Sequence, residues 1–267
     1  MKLLIAKNKS SGDKKAFEII KAQVMKKPGS LIGLAVGKTT DGLYKLISRD
    51  AVKNPKTWKK VKLFQIDENL RVAPNLKISF NYEIRKKLKN LLEVTNSKNI
   101  FLMDGTENPN KIIKSAYKFI HKNKGIDLII LGIGPEYDPH IAYNTTGKSG
   151  LNSRMRVVDL HPKAIHVIVR RLEESTRQSH NVLEIASPEP ALSEANVARN
   201  NIQGITLGIK DILETKKVLL IAYGKEKAKS IKLAFKGKVN SKRASASALQ
   251  LHKNLEVVID KNAGKYL

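Results

Sequence analysis

Short apolar runs separated by longer segments of helical spacing constrain this chain more than any other feature. Leu31 to Val36, Val61 to Ile66, Ile100 to Met103, Asp127 to Leu131, Val218 to Ala222 and Leu255 to Ile259 are each bounded by turn residues. Runs this short, with so few polar interruptions, read as strands buried on both faces. Between them apolar side chains recur three and four residues apart, as in Ala16, Ile19, Ile20 and Val24, in Ile84, Leu88, Leu91 and Leu92, and in Ile112, Ile113, Ala116, Tyr117 and Ile120. That spacing is helical.

Alternating strands and helices predict an α/β fold: a mostly parallel, Rossmann-like open sheet flanked by helices on both faces, an α/β/α sandwich. At 267 residues, with no internal repeat, low-complexity tract or linker, a single domain over residues 1–267 is expected. Ligands of such sheets bind at the carboxyl ends of strands, near a switch in strand order. The polar stretch from Pro188 to Asn201 is expected to be a helix or lid, not a domain boundary.

The net charge of +26 would attract nucleic acid, an anionic membrane or small phosphorylated anions alike. The lysines are dispersed, as in Lys59-Lys60, Lys86-Lys87 and Lys225 to Lys229, without a basic arm or interleaved aromatics. A solvated basic surface is therefore expected, and no nucleic-acid partner. Without cysteine there is no disulfide framework and no thiolate chemistry. The apolar start, Met1 to Ala6, is too short for a secretory leader, and no run approaches the roughly 18 apolar residues of a spanning helix. A cytoplasmic protein that makes no membrane contact is expected.

Three segments at strand ends carry the residues suited to chemistry. Leu34-Ala35-Val36-Gly37-Lys38-Thr39-Thr40 runs from a strand into a small, polar, glycine-containing turn before a helix. The free backbone N–H groups of such a turn bind phosphate. A nucleotide P-loop needs four residues between its glycines, whereas Gly33 and Gly37 enclose three, all strand-like. Asp67-Glu68 closes an apolar strand, where a carboxylate serves either as a proton-transfer base or as a helix cap or surface ion-pair partner. The third segment, Ile126 to Leu131, empties into Gly132-Ile133-Gly134-Pro135-Glu136-Tyr137-Asp138-Pro139-His140-Ile141-Ala142-Tyr143-Asn144. If this segment is extended, Asp138 and His140 share a side, and the carboxylate can orient the imidazole. The third glycine of a dinucleotide fingerprint is missing.

Leu131 to Asn144 resembles the Gly-x-Gly-x-Asp-Gly-His-Ile-Ala-Phe-Asn signature of the glucosamine-6-phosphate deaminases, and Phe64 to Asn69 resembles their Phe-Asn-Met-Asp-Glu-Tyr strand end. Ser153-Arg154-Met155-Arg156 is similar to their Ser-Arg-Thr-Arg loop, Ile205 to Ile209 to their Leu-Thr-Val-Gly, Gly224 to Ala228 to their phosphate-lysine segment, and Ser245 to His252 to their Ser-x-Leu-Gln-Leu-His. These motifs occur in order across nearly the whole chain. The resemblance implies an aldose-to-ketose isomerisation of glucosamine 6-phosphate with loss of ammonia, giving fructose 6-phosphate. Asp67 would be the proton-transfer base, and Asp138 and His140 would open the pyranose ring. Gly37, Lys38, Thr39 and Lys227 would hold the phosphate, with Glu68, Glu136, Asn144, Arg154 and Arg156 as further site residues and Arg177 or Arg199 as the phosphate arginine. The implied partner is a small-molecule sugar phosphate, with no cofactor and no metal. Family members occur both as monomers and as hexamers.

The chain departs from the pattern in four places. The Gly134–Asp138 spacing is longer by two residues and Pro139 replaces a glycine. Thr145 stands where the family carries the glutamate of its ring-opening group, for which Glu136 would have to substitute. Lys38 enters the phosphate turn. Val158 replaces a lysine, and the chain stops at Leu267, short of the C-terminal effector segment, so allosteric activation is not expected. Two other readings follow from these departures: a 6-phosphogluconolactonase of the same fold, and a non-catalytic relative that binds sugar phosphates.

Overall fold

The computed structural model describes residues 1–160 and 203–267. Seven strands form a parallel sheet in the order β1-β10-β9-β6-β2-β3-β5, comprising β1 (Lys2–Ala6), β2 (Leu31–Leu34), β3 (Lys62–Gln65), β5 (Ile100–Phe101), β6 (Leu128–Leu131), β9 (Val218–Ala222) and β10 (Leu255–Asp260). Each of the six apolar runs supplies one strand. The edge strand β1 is the addition, its alternating exposed Leu3 and Ile5 giving it a weaker signal than the central runs.

Burial explains the uninterrupted runs. Within β6, Leu128 and Ile130 enter one core while Ile129 and Leu131 enter the other, and within β9 Leu219 and Ile221 oppose Val218, Leu220 and Ala222. A side-chain period of two sends alternate residues to opposite faces, so a sheet covered on both sides needs apolar residues at every position. One face packs on α1 (Lys9–Lys26) through Ala16, Ile20 and Val24, and on α2 (Asp41–Lys53) through Leu43, Tyr44 and Ile47. The other packs on α6 (Pro109–Lys122) through Ile112 and Ala116, and on α8 (Ala228–Phe235) through Ile231 and Ala234. The short helices α3 (Pro55–Trp58), α4 (Phe80–Lys87), α5 (Lys89–Val94) and α7 (Ile209–Leu213) complete the described layers. Among the described residues, no helix is long and apolar enough to cross a membrane.

A second sheet, not foreseen from the apolar runs, lies at the carboxyl side of β3. Its three antiparallel strands run in the order β4-β8-β7, with β4 (Asp67–Asn69) against β8 (Gln203–Thr206) and β8 against β7 (Arg156–Asp159). Asp67 is thus the first residue of β4 and pairs with Thr206.

Candidate active site

The carboxyl ends of β2, β6 and β9 each break into a glycine turn, and β6 lies between the other two in the sheet. After β2, Gly37 adopts φ +150°, and a Cβ built there would meet nothing within 4 Å, so backbone conformation and not crowding calls for glycine. The Thr40 amide and hydroxyl both donate to the Gly37 carbonyl, at 3.2 and 2.9 Å, closing the turn Lys38–Thr40 that leads into α2. The Lys38 side chain is exposed. On the inner side of the turn the Thr39 carbonyl accepts from Lys9 Nζ at 3.0 Å.

After β9, Gly224 at φ +91° donates its N–H to the Asp260 carboxylate at 3.1 Å and opens the turn Lys225–Lys227. Lys227 reaches across to β6, its Nζ donating to the Ile133 carbonyl at 2.8 Å. Burial lowers the pKa of this ammonium, with Glu226 partly opposing the shift. Lys227 therefore lies against the glycine turn of the histidine loop.

That loop is held tightly. Gly134 N–H donates to the His140 carbonyl at 2.8 Å, and a Cβ on Gly134 would lie 2.2 Å from the Asp138 carbonyl oxygen and 2.6 Å from His140 Nδ1. His140 N–H donates back to the Asp138 carbonyl at 2.8 Å across Pro139, so a three-residue turn, not an extended segment, brings the two side chains together. Asp138 Oδ2 and His140 Nδ1 are 2.8 Å apart, and Oδ1 accepts from the Thr146 amide, also at 2.8 Å. Burial raises the Asp138 pKa, but the hydrogen bonds and charge from His140, together with Thr146, outweigh it and hold the carboxyl below its ordinary range. An ionised acceptor beside Nδ1 favours the proton on that nitrogen and leaves Nε2 facing away from Asp138. The imidazole is 27% exposed.

Asp67 and its neighbour Glu68 are both buried, with opposite consequences. Asp67 Oδ1 has no hydrogen-bond partner among the described residues, and burial, reinforced by the charge of Glu68, pushes its carboxyl well above the ordinary range. Glu68 accepts from Gln65 Nε2, the Ser79 hydroxyl and the amides of Asn69, Phe80 and Asn81, all at 2.8–2.9 Å. Its oxygens cap the start of α4 and bind β4 to it. Burial still raises the Glu68 pKa, offset by the backbone donors. Glu68 is an anchor, which leaves Asp67 as the open carboxyl of the pair.

The remaining predicted residues divide by place. Asn144 is fully buried; its Nδ2 donates to the carbonyls of Ile141 (3.1 Å) and Leu207 (2.8 Å), and its Oδ1 accepts from Arg156 Nη1 at 3.1 Å. Since Leu207 N–H donates to the Ile66 carbonyl at 2.9 Å, Asn144 ties the histidine loop to the strand end that carries Asp67. Arg156 also donates to the Ser149 hydroxyl at 2.7 Å, so it braces Asn144. Arg154 forks onto Asp211 (2.8 Å) and Glu214 in a separate cleft lined by Tyr117, His121 and Ile126, at the amino end of β6. Glu136 pairs with Lys229 at 2.7 Å on the surface and is not joined to His140 by any hydrogen bond. Arg177, Arg199 and the stretch from Pro188 to Asn201 lie outside the described residues. Three supporting groups escaped sequence reasoning. Thr146 acts through its backbone and Lys9 across 30 residues, so neither leaves a pattern; Gln65, a polar residue at the carboxyl end of a buried strand, was visible and is bonded to Met103, Asp67 and Glu68.

Comparison with known proteins bears on this geometry. Residues 10–162 match the family described as glucosamine-6-phosphate isomerases/6-phosphogluconolactonase. A glucosamine-6-phosphate deaminase of Clostridium botulinum is 32% identical over 268 residues, covering 100% of this chain and 99% of the relative. One from Mycoplasma mycoides is 30% identical, covering 100% and 98%. Among solved structures, a monomeric glucosamine-6-phosphate deaminase superposes with a TM-score of 0.82 at 21% identity over 100% of both chains. The 6-phosphogluconolactonase of Trypanosoma cruzi gives 0.73 at 17% identity, covering 100% of this chain and 96% of the other. At such identities the structural likenesses establish the fold.

Proposed function

The chain belongs to the glucosamine-6-phosphate isomerase/6-phosphogluconolactonase family, and from that premise we propose that it converts glucosamine 6-phosphate into fructose 6-phosphate and ammonia. The observation that carries this reading is the buried, unpaired carboxyl of Asp67 at the strand end that Asn144 ties to the Asp138–His140 loop. Isomerisation must move a proton between adjacent carbons, and a desolvated carboxyl with a raised pKa is suited to accept and return one. Lactone hydrolysis needs an activated water and gives such a carboxyl no task.

In this reading the phosphate sits among the turn Gly37 to Thr39 and Lys227, whose desolvated ammonium gains an anion as partner. His140 Nε2, fixed as an acceptor by the bond from Nδ1 to Asp138, takes the proton of the C1 hydroxyl and delivers it to the ring oxygen, opening the pyranose. Asp67 then removes the C2 proton of the open-chain aldehyde and returns it to C1, while a proton passes from the C2 amine to O1, leaving an imine at C2. Water adds to the C2 imine, and the resulting carbinolamine releases ammonia to give the C2 ketone of fructose 6-phosphate. With Thr145 in place of the family glutamate, Asp138 is kept ionised by His140 and, to a lesser degree, by Thr146.

One observation favours the hydrolase as a second reading: Asp138 is the sole carboxylate bonded to His140 among the described residues, the simplest dyad for water activation. The deciding experiment supplies glucosamine 6-phosphate and 6-phosphogluconolactone to the purified protein in parallel and measures ammonia, fructose 6-phosphate and acid release. Ammonia with fructose 6-phosphate is expected. Acid release from the lactone alone would transfer the assignment to the hydrolase, and silence in both would leave a sugar-phosphate-binding relative.

A further inference from the structure

A part-buried polar cluster lies beside the two phosphate-side turns and takes no part in the steps above. Lys9, at the start of α1, directs Nζ to Asp13 Oδ2 at 3.0 Å and to the Thr39 carbonyl at 3.0 Å, and the same ammonium lies 5.0 Å from the centre of the Tyr223 ring. Thr39 belongs to the turn after β2, and Tyr223 immediately precedes Gly224, which opens the turn that carries Lys227. One cation therefore bonds the first turn and lies over the ring of the residue that leads into the second.

The surroundings are shaped around it. Asp13 and Tyr223 are 4% and 5% exposed. A Cβ on Gly42 would fall 1.9 Å from Asp13 Oδ2, and one on Gly12 would fall 2.3 Å from Tyr223 Cε1, so two glycines on α1 and α2 make room for the carboxylate and the ring. Asp13 Oδ1 and the Tyr223 hydroxyl are both buried and interact with each other. Burial raises the Asp13 pKa against the opposing hydrogen bond and charge of Lys9. A buried carboxylate and phenol, for which two helix glycines make room, hold the Lys9 ammonium in one place.

We infer that Lys9, oriented by Asp13 and Tyr223, is a positioning residue for the phosphate half of the substrate, setting the spacing between the Gly37–Thr40 and Gly224–Lys227 turns. By accepting from Lys9, the Thr39 carbonyl is turned inward, and the N–H groups at the front of that turn are left to the phosphate. The ammonium contributes a positive potential behind the turn without contacting the anion. The inference rests on the placement of phosphate at these turns.

The test is titration of inorganic phosphate and of glucosamine 6-phosphate into wild type, Lys9→Met and Lys9→Arg, with steady-state kinetics beside it. Loss of the Lys9–Thr39 bond and of the positive charge behind the turn predicts about tenfold weaker phosphate binding and a KM raised to match in Lys9→Met, with kcat changed far less and Lys9→Arg recovering most of the difference. A purely structural role would lower the melting temperature without separating KM from kcat. Wild-type phosphate affinity in a folded Lys9→Met protein overturns the inference while leaving the proposed reaction intact. Absence of phosphate binding in the wild type overturns the site itself. Should Lys9→Met not fold, Asp13→Asn keeps the shape and frees the ammonium; phosphate affinity weakened about threefold is expected on partial loss of that contact, and unchanged affinity would overturn the inference.

Discussion

Replacing Asp67 by Asn separates chemistry from stability, because the two should move in opposite directions. Asn has nearly the shape of Asp but no charge and no proton to exchange. Asp67 is 5% exposed, its Oδ1 is unpaired, and both burial and Glu68 disfavour the charged form. Near neutral pH the wild type bears the cost of this carboxyl, either as a buried charge or as a proton held against solvent. Relieving the buried carboxyl of its ionisation cost is worth about 2 kcal/mol, which corresponds to a melting temperature higher by about 5 °C in a chain of this size. Loss of a proton-transfer base should lower kcat by about a thousandfold or more with KM within a fewfold. The pH dependence follows from the raised pKa. The unfolded carboxyl ionises first, so wild-type stability relative to Asp67→Asn falls as pH climbs from the ordinary carboxylate value to the folded one, and the two proteins converge in acid. Thermal melts from pH 4 to 8 and single-turnover assays with glucosamine 6-phosphate would read both effects. Turnover that survives in Asp67→Asn, or a variant that melts several degrees lower at neutral pH, would refute the assignment of Asp67 as an open, desolvated base. Wild-type kcat/KM should also rise with pH through the elevated pKa of Asp67 and not through the ordinary carboxylate range.

Other substitutions probe the remaining parts of the site. Asp138→Asn leaves His140 without an ionised acceptor and should lower kcat about a hundredfold or more, with imidazole nitrogen shifts showing the loss of the fixed tautomer. Gly134→Ala must place a methyl 2.2 Å from the Asp138 carbonyl; a loss of about 3 kcal/mol in chemical denaturation is expected, together with inactivity, because the loop must shift. Lys227→Met should weaken phosphate affinity by tenfold or more, roughly the worth of a hydrogen-bonded ion pair, with a smaller effect on kcat.

The main sheet was legible in the sequence because burial on both faces forces apolar residues into every position of a strand, as the opposed cores under Leu128 to Leu131 require. The small antiparallel sheet was not, since β4 consists of Asp67-Glu68-Asn69, three polar residues whose strand character comes from pairing with β8 and from the donors that converge on Glu68. Strand propensity has nothing to say where tertiary partners decide the matter. Sequence placed Asp67 and Glu68 together but could not divide their roles, because the division depends on Ser79, Phe80 and Asn81, more than ten residues away. The same long reach governs the other end of the sheet. Asp127, at the amino end of β6, is as buried as Asp67, yet it accepts from Lys27, Lys216 and the Leu31 amide, which outweigh burial and hold its pKa below the ordinary range. A chain that encloses one carboxylate with three donors and leaves another of equal burial unpaired is treating the two differently. Lysines are abundant enough to neutralise both. The unpaired carboxyl lies at the strand ends where ligands of parallel sheets bind, a position that matches the proton transfer proposed for it.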